Sequence, residues 1–487
     1  MRQLSILKIH LKLGLLLVIA LSLTSVTTAQ QNSVFVAPNG NDSNPGTLQQ
    51  PFGSIQHALN TATKPGSRIF VRGGVYHERI EFVASGNARD GHIVLRNYPG
   101  ETPILDGTGV AGQDMVVIEN LHHIRFLGFE IRNNLNVTDG SGIRVLGYGH
   151  HIELRDNTIH DMRGSNAMGI TVYGTSTQQA IAQLFIYNNH IYDCEPAPSE
   201  ALTVNGNVNR FTIANNLVHD VNNIAIDAIG GEVDINPNPN LVARAGLIRD
   251  NIVYNAHSSY GGGFGAGIYV DGGRNIRIES NHVYNSDMGI EIGAENQGII
   301  TRNVQVLNNV IDHNDKAGIV FGGYAADTGR VERCRFYNNT LVQNDFLNEG
   351  YGQIWVQFAN DCVIVNNIIW SSDSGVLLNA EGNSFNNLFD YNNWFCEFGQ
   401  NNCEFIYEGN SYLSFSAFKA GSGQDVFSVF ANPLFLNPGA GDYSLLPNSP
   451  AIDMGTAIPG WYGPSDMFDS VRPQGDGVDI GAIESTN

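Results

Sequence analysis

Eight copies of one short pattern lie between residues 152 and 372, and this repeat limits the possible folds more than any other feature of the sequence. Each copy alternates apolar and polar residues and then reaches an asparagine, as in "IRIESNHVYNS" and "VQVLNNVIDHN". Repeats of this length indicate a solenoid in which each copy belongs to one coil. The marker asparagines lie 27 to 35 residues apart, at Asn157, Asn189, Asn216, Asn251, Asn281, Asn309, Asn339 and Asn367.

A second strand pattern lies between successive markers, as in "GITVYG", "GIYVDGG" and "GIEIGAE". Apolar residues recur with a period of two in both patterns, which is typical of half-buried strands, and no helical period separates them. We therefore predict an all-β fold, a parallel β-helix of about ten coils, with neighbouring coils about 4.8 Å apart.

The marker asparagines are predicted to form a buried ladder, because identical polar side chains in stacked strands can bond to the coils above and below. Three residues after the markers, a stacked column of rings is expected at His160, Tyr192, His219, Tyr254 and Tyr284. We interpret these histidines as structural, and no spacing of ligands in the sequence is typical of a zinc site.

The cysteines allow two kinds of pairing in a secreted protein. Cys334 and Cys362 each lie five residues before a marker asparagine, so they should be buried neighbours in adjacent coils, as stacked thiols or a disulfide. Cys396 and Cys403 bracket the short loop "CEFGQNNC", which a disulfide could close, the alternative being two unpaired thiols.

The two ends of the chain depart from the repeat. Residues 1–29 have a basic start, an apolar run and a small-residue cleavage site, which predicts a signal peptide and secretion. Residues 30–384 are assigned to an N-terminal cap and the β-helix, with a capping helix near Pro51–Ala62 that begins at Ser54. Residues 385–487 are rich in Pro, Gly and Asp and are expected to form irregular coils and a module that closes the other end.

The formal charge of −21 limits the partners of the chain. So acidic a protein should repel nucleic acid and anionic membranes, and a polyuronate is an awkward substrate for it. No other apolar run is long enough to span a bilayer, so we expect no membrane insertion once the signal peptide is removed. The expected partner is an extracellular polysaccharide, bound by a monomer.

The N-terminal stretch "VFVAPNGNDSNPGTLQQPFGSIQHAL", followed by "GSRIFVRGGVYHERI", resembles a module of secreted bacterial right-handed β-helix proteins of the pectate-lyase-like class. The stretch "NPLFLNPGAGDYSLLPNSPAIDMGT" is similar to a choice-of-anchor-type module at the C-terminus of cell-surface β-helix proteins. The resemblance implies a right-handed coil, in agreement with the general crossover rule. It does not specify an activity, because this fold hosts lyases, hydrolases, epimerases and adhesins.

Acidic side chains on the outward positions of the second strand occur only in three central coils, at Asp227, Asp271 and Glu291, with Glu295 at a strand exit. Long insertions flank the same coils, and in a solenoid such insertions mark the binding face. We therefore predict a groove there. The outward column of the second strand, whose central part lines the groove, is Arg144, Thr171, Thr203, Asp227, Tyr269, Glu291, Val320 and Trp355. The insertions add His257, Tyr260, Glu232, Asp234 and Arg244 to the rim of the groove.

A carboxylate pair in a groove is what glycoside hydrolysis requires. Asp271 and Glu291 lie on adjacent coils, with backbones roughly 8 Å apart from the strand spacings. The stretch "YVDGG…GIEIGAE" also resembles β-helical β-xylosidases, which implies Asp271 as nucleophile and Glu291 or Glu295 as acid/base. The predicted substrate-binding residues are Asp227, Tyr269, Arg274, His257, Tyr260 and Trp355.

Several alternatives remain open from the sequence. The acids could be a solvated face, or Asp227, Asp271 and Glu291 could bind calcium, which prefers clustered carboxylates. A calcium-dependent polysaccharide lyase would need a base such as Lys316 or Arg274, and a third alternative is a non-catalytic carbohydrate-binding or adhesion protein. Outside the groove, we expect Arg144 to be a surface charge, and Asp42 to belong to a turn or a calcium loop.

Overall fold

The computed structural model describes residues 33–486, so the predicted signal peptide at 1–29 lies outside the described residues. The chain winds as a parallel β-helix, and each complete coil contributes one strand to each of three long sheets. Each of these sheets turns one face inward, and the apolar residues on that face fill a single continuous core.

Sheet 1 contains the strands that precede the marker asparagines and has thirteen members. They are Ser33–Val36, Arg68–Val71, Ile93–Asn97, Ile124–Leu127, Gly149–Arg155, Ile181–Tyr187, Val208–Ala214, Leu247–Arg249, Arg277–Glu279, Gln305–Leu307, Arg335–Tyr337, Val363–Val365 and Leu388–Asp390.

Sheet 2 contains the strands that follow the marker asparagines and also has thirteen members. They are Gly74–Tyr76, Pro103–Asp106, Glu130–Val137, Thr158–Gly164, His190–Cys194, Leu217–Val221, Ile252–Ala256, His282–Tyr284, Val310–Asp312, Thr340–Val342, Ile368–Trp370, Asn393–Phe395 and Val429–Phe430.

Sheet 3 contains the second strand pattern, and its thirteen strands carry the predicted groove. They are Ile80–Glu81, Val116–Glu119, Gly140–Leu146, Ala167–Gly174, Leu202–Gly206, Ile226–Ile229, Ala266–Asp271, Met288–Gly293, Ala317–Gly322, Ile354–Gln357, Val376–Ala380, Glu404–Tyr407 and Asn410–Tyr412. Only the last of these pairs antiparallel to its neighbour.

Thirteen strands per sheet are more than the ten coils predicted. The first coils, before residue 137, have the strands but not the marker asparagine, and the last coil, after residue 388, carries Asn392 outside the eight copies read from the sequence. The sheets therefore also run past residue 385. Two smaller sheets complete the strands, one formed by Ile300–Arg302, Arg330–Glu332 and Ala359–Asn360, the other by Phe435–Asn437 and Asp442–Leu445.

The asparagine ladder is confirmed. Each marker is buried, and its side-chain oxygen accepts hydrogen bonds from the backbone and side-chain nitrogens of the preceding marker. For example, the backbone N and the Nδ2 of Asn251 both donate to Asn281 Oδ1, each at 2.9 Å. The ladder runs unbroken from Asn157 and ends at Asn392, one coil beyond the repeat seen in the sequence. It satisfies polar groups that the tight bends would otherwise leave buried and unbonded.

The ring column is confirmed as well, with centroids 4.5 to 5.3 Å apart and nearly parallel planes from His160 to Tyr284. All five cysteines are free thiols. Cys334 and Cys362 are therefore buried, stacked thiols rather than a disulfide. Cys396 and Cys403 are likewise unpaired thiols, both buried in the last coil.

Both ends of the β-helix are covered by helices. Ile55–Thr61 packs on the first strands, and the Ser54 hydroxyl accepts a bond from the His57 amide as the expected N-cap. Asp42 accepts bonds from the amides of Gly53 and Ser54, so it fixes the entry to this helix. At the far end Phe415–Ser422 packs on the last strands, with Phe418 stacked on Phe405 at 4.7 Å.

The segment after residue 432 lies along the flank of the solenoid. Phe435, Tyr443 and Ile480 form a cluster with Ile368 and Trp370 on the outer side of sheet 2. The outward residues of these coils are apolar and need a cover, whereas the open end is already covered by the helix. A short 3₁₀ turn, Pro438–Ala440, joins the two strands of this segment. No helix among residues 33–486 is long and apolar enough to cross a membrane.

Candidate active site

The register predicted for the outward column of sheet 3 is confirmed. Thr203 pairs with Asp227, Asp227 with Tyr269, and Tyr269 with Glu291. The same column continues through Val320 to Trp355. Arg144 is at the other end of it, and it is not the surface charge expected: it is buried and paired with Asp114 at 2.7 Å and Asp139 at 2.8 Å.

A cavity of about 560 Å³ opens on the outer face of these central coils. Five predicted site residues line it: Tyr260, Tyr269, Glu291, Glu295 and Trp355. The remaining lining residues are Asn223, Ile224, Ser258, Gly261, Phe264, Met288, Ala294, Val320, Phe321, Gly322, Gly323, Tyr324 and Gln357. Its size and mixture of aromatic surface with few polar groups are typical of a small-ligand or sugar site.

The long insertions form the walls of the cavity, as their positions predict. The loop before the strand Ala266–Asp271 brings in Tyr260 and Phe264, and the loop after Met288–Gly293 brings in Glu295. Tyr324 comes from the third long insertion. The floor is an apolar cluster outside the main core, formed by Ala266, Tyr269, Met288, Ala317 and Val320.

Glycine at position 293 sets the position of Tyr269. A side chain on Gly293 would place its Cβ 2.5 Å from the Tyr269 hydroxyl and 2.9 Å from its ring, so only glycine leaves room for the ring to cross the next coil. The hydroxyl then reaches the rim, where it donates to Glu295 Oε1 at 3.5 Å. Tyr269 is buried beneath the cavity surface, and this raises the pKa of its hydroxyl far above the usual value.

Two carboxyl groups face the cavity. Glu291 is half-buried on the floor, and Glu295 is exposed at the rim. Removal from water, followed by the nearby charges of Glu295 and Asp271, raises the pKa of Glu291 well above its ordinary value. Partial loss of hydration beside the cavity wall, followed by the charge of Glu232, raises the pKa of Glu295, and the bond from Tyr269 opposes that rise. The raised pKa biases Glu291 toward the protonated form that a general acid requires, whereas the bond from Tyr269 favours the carboxylate form of Glu295.

Asp271 does not line the cavity. It is buried at the end of its strand, and its Oδ1 accepts a bond from the backbone amide of Glu295 at 2.8 Å. Burial and the charge of Glu295 raise its pKa well above the ordinary value. In this arrangement Asp271 holds the strand exit that carries Glu295.

The acidic cluster is larger than the sequence predicted. Asp227 is buried with its Oδ1 unbonded, and burial followed by the charge of Glu200 raises its pKa well above normal. Glu200, missed in the sequence, has a pKa raised to about 8 by burial and by Glu232. Glu200 precedes its strand instead of lying in the outward column, so an alignment of strands alone could not find it. Glu232, expected on the rim, accepts a bond from Asn205 at 2.6 Å.

The calcium ligands proposed from sequence do not converge. Among the described residues, Asp227, Asp271 and Glu291 are not a group whose ligand atoms all lie within 4.8 Å of one another. His257, Asp287 and Asp315 are such a group, beside the cavity. Asp287 already accepts bonds from the Ser258 and Gly265 amides and from His257, which raises the pKa of His257, so hydrogen bonds account for this cluster.

The basic candidates lie elsewhere. Arg274 does not line the cavity; it stacks between Arg244 and Arg302 at a bend, and its Nε donates to the Ile300 carbonyl. Lys316 is buried and paired with Glu349, with its ammonium 4.7 Å from the Phe264 ring and 5.3 Å from Tyr351. Its contacts support the wall that Phe264 forms. Asp234 is exposed and outside the cavity lining.

The buried acids should make stability fall as pH rises. Asp227 has a higher pKa when folded than when unfolded, so the folded protein binds the extra proton, and stability decreases once pH exceeds about 4, the ordinary pKa of an aspartate. We expect Asp227→Asn to increase the free energy of unfolding near neutral pH by about 1 kcal/mol or more, and to change it little near pH 4.

Thermal unfolding of both proteins across this pH range measures the effect. Asp234→Asn, which changes an exposed acid, is the matched control and should leave the pH profile unchanged. An Asp227→Asn profile that runs parallel to the wild-type profile would contradict the assignment.

Comparison with known proteins agrees with this architecture. Residues 34–199 match the family described as "Pel9A-like, right handed beta helix region", and residues 241–420 match "Right handed beta helix region". The structure of pectate lyase Pel9A superimposes with a TM-score of 0.53 over 93% of this chain and 96% of its own, at 15% identity. The GH136 lacto-N-biosidase from Eubacterium ramulus gives a TM-score of 0.56 over 74% of this chain and 67% of its own, at 14% identity. At these identities, the likeness shows a shared fold.

The chain is thus a right-handed parallel β-helix protein of the pectate-lyase-like class. The uncharacterized protein YwoF of Bacillus subtilis (strain 168) is 33% identical to it over 444 residues, which cover 86% of this chain and 92% of YwoF. The chain belongs to the same family as YwoF.

Proposed function

We propose that the protein is a secreted enzyme that hydrolyses an extracellular glycan in the cavity of sheet 3. The observation that carries the proposal is the placement of two carboxyl groups with raised pKa, Glu291 and Glu295, in a cavity walled by aromatic rings. Trp355, Phe264 and Tyr260 offer apolar faces against which sugar rings can lie, and the few polar groups can orient them.

Glu291 is proposed as the general acid, because its position on the floor raises its pKa and so favours the protonated form. It donates its proton to the leaving oxygen as the glycosidic bond breaks, and water bonds to the anomeric carbon. Glu295 takes up a proton from that water. Asp271, which lies behind the cavity lining, is proposed as a positioning residue for Glu295 in place of the nucleophile role that the resemblance implies.

Hydrolysis is favoured over β-elimination by the charges around the cavity. None of the described residues that line it is a lysine or an arginine, and the acids beside it would repel a uronate. Lys316, the base considered for a lyase, is held in an ion pair with Glu349. We therefore propose a neutral glycan as the substrate.

A screen of neutral and uronic-acid glycans tests the proposal, with reducing ends and the ultraviolet absorbance of unsaturated products measured together. New reducing ends without unsaturated product, from a neutral glycan, support hydrolysis. Unsaturated product would identify a lyase, and glycan binding with no cleavage of any substrate would identify a non-catalytic binder; either result would overturn the proposal.

A further inference from the structure

A cluster of histidines lies far from the cavity, at the bend where sheet 3 passes into sheet 1. Five imidazoles from three consecutive coils meet there, with neighbouring ring centroids 4.5 to 5.7 Å apart. They are His92, His122, His123, His150 and His151. The cluster is five or more coils away from Glu291, so it does not depend on the proposed function.

The repeat itself stacks these rings. The sequences "LHHIRF" and "GHHIEL" place His123 and His151 each one residue before a buried isoleucine of sheet 1, Ile124 and Ile152, which pair with each other. Both histidines have the left-handed backbone conformation, with φ of 56° and 55°. Their rings consequently stack at 4.5 Å, one above the other in adjacent coils.

Three of the histidines bring ring nitrogens close to one another. His123, His150 and His151 each offer a nitrogen, and these three atoms all lie within 4.8 Å of one another. The Nδ1 atoms of His150 and His151 are 2.9 Å apart. His123 is only 6% exposed, and its Nδ1 is buried with no hydrogen-bond partner among the described residues.

Most other paired histidines of the protein have a carboxylate partner, which explains their positions. His160, His219 and His282 contact Asp161, Asp220 and Asp312 at 2.6 to 2.7 Å. Within the described chain, by contrast, none of the three converging histidines forms an ion pair with an acid. A buried donor or acceptor without a partner is costly, so the unbonded His123 nitrogen indicates a ligand.

We propose that His123, His150 and His151 bind a divalent transition metal ion, with zinc as the ion that fits best. Neutral imidazole nitrogen is the ligand that zinc, copper and nickel prefer, and three histidines with an open fourth position form a known type of zinc site. Zinc–nitrogen bonds of about 2.0–2.1 Å in a tetrahedron place two nitrogens roughly 3.3 Å apart, which a small opening of the His150–His151 pair provides. The ion would join two adjacent coils.

The test uses the chain expressed without a polyhistidine tag, stripped by a chelator and titrated with Zn²⁺. We expect one equivalent to bind, and Co²⁺ in its place to give the visible absorption of a tetrahedral nitrogen site. His150→Gln, and His151→Asn, whose asparagine tolerates the left-handed backbone, should each weaken Zn²⁺ binding by at least about tenfold, since loss of an outer-shell partner alone costs about that much.

His190→Gln is the matched control. His190 and His219 also have ring nitrogens 2.8 Å apart, but they are not part of a converging group of three in the described chain. This variant should bind Zn²⁺ as the wild type does. Wild-type protein that takes up no stoichiometric Zn²⁺, or equal binding by all the variants, would overturn the proposal. If a variant fails to fold, the Co²⁺ spectrum of the wild type decides: a tetrahedral band supports the site and its absence rejects it.

Discussion

Replacing Glu291 by glutamine is expected to lower kcat for glycan cleavage by about 10²- to 10⁴-fold, the usual contribution of a general acid. Glutamine fills the same space on the cavity floor but has no proton to give to the leaving oxygen. Contacts of the glycan with Tyr260 and Trp355 remain, so its binding should change little. Initial rates and equilibrium binding, measured on the substrate found in the glycan screen, separate the two effects.

The pH dependence of kcat/KM provides a second test of the role of Glu291. Because the pKa of Glu291 is raised, the wild type should keep its proton donor above the pH at which an ordinary glutamate ionises, and kcat/KM should fall on the alkaline side of that raised pKa. Glu291→Gln should lose this alkaline limb. Glu119→Gln is the control, since Glu119 ends a strand of the same sheet six strands away. Near wild-type kcat in Glu291→Gln would remove Glu291 from the mechanism.

The second large effect concerns the asparagine ladder. Asn281→Ala should lower the free energy of unfolding by about 3–5 kcal/mol, because each buried polar group left unbonded costs about 1–3 kcal/mol. The substitution removes the acceptor used by both nitrogens of Asn251 and the donor used by the Ile248 and Glu279 carbonyls. None of these groups can reach water, since Asn281 is fully buried.

Denaturant and thermal unfolding measure this loss, and Asn240→Ala is the matched control. Asn240 is exposed in a loop, so its substitution should stay within about 0.5 kcal/mol of the wild type. Equal stabilities for the two variants would show that the ladder contributes no more than a surface amide. A large loss confined to Asn281→Ala would show that one rung stabilises the coils on both sides of it.

The sequence was sufficient to predict the fold and the strand register of sheet 3, because a strand with a period of two in a stacked coil has only one way to bury its apolar face. Pairings such as Tyr269 with Glu291 therefore followed from alignment of the repeats. The sequence did not show how deeply each acid is buried. Asp271 and Glu291 both point outward from the strand, but the loop that carries Glu295 covers Asp271 and leaves Glu291 facing the cavity. Residues placed by irregular segments, such as Glu200, have no period to reveal them.

The histidine cluster is a second feature that the sequence alone did not reveal. Zinc motifs are recognised by spacing along the chain, whereas His123 and His151 meet because equivalent positions of successive coils are stacked. A solenoid turns a separation of one repeat into a direct contact. Ligand sets in such folds are therefore visible only after the coils have been aligned.

The two capping helices have a consequence for assembly. A stack of parallel strands presents unpaired amides and carbonyls at its first and last rungs, and such edges recruit other strands into open-ended fibres. Here the helix Ile55–Thr61 shields the first edge. At the last edge, the antiparallel strand Asn410–Tyr412 and the helix Phe415–Ser422 prevent a further parallel strand from pairing. The same stacking that builds the thirteen-rung sheets is thereby stopped at a finite length, and the protein can use an amyloid-like spacing without growing end to end.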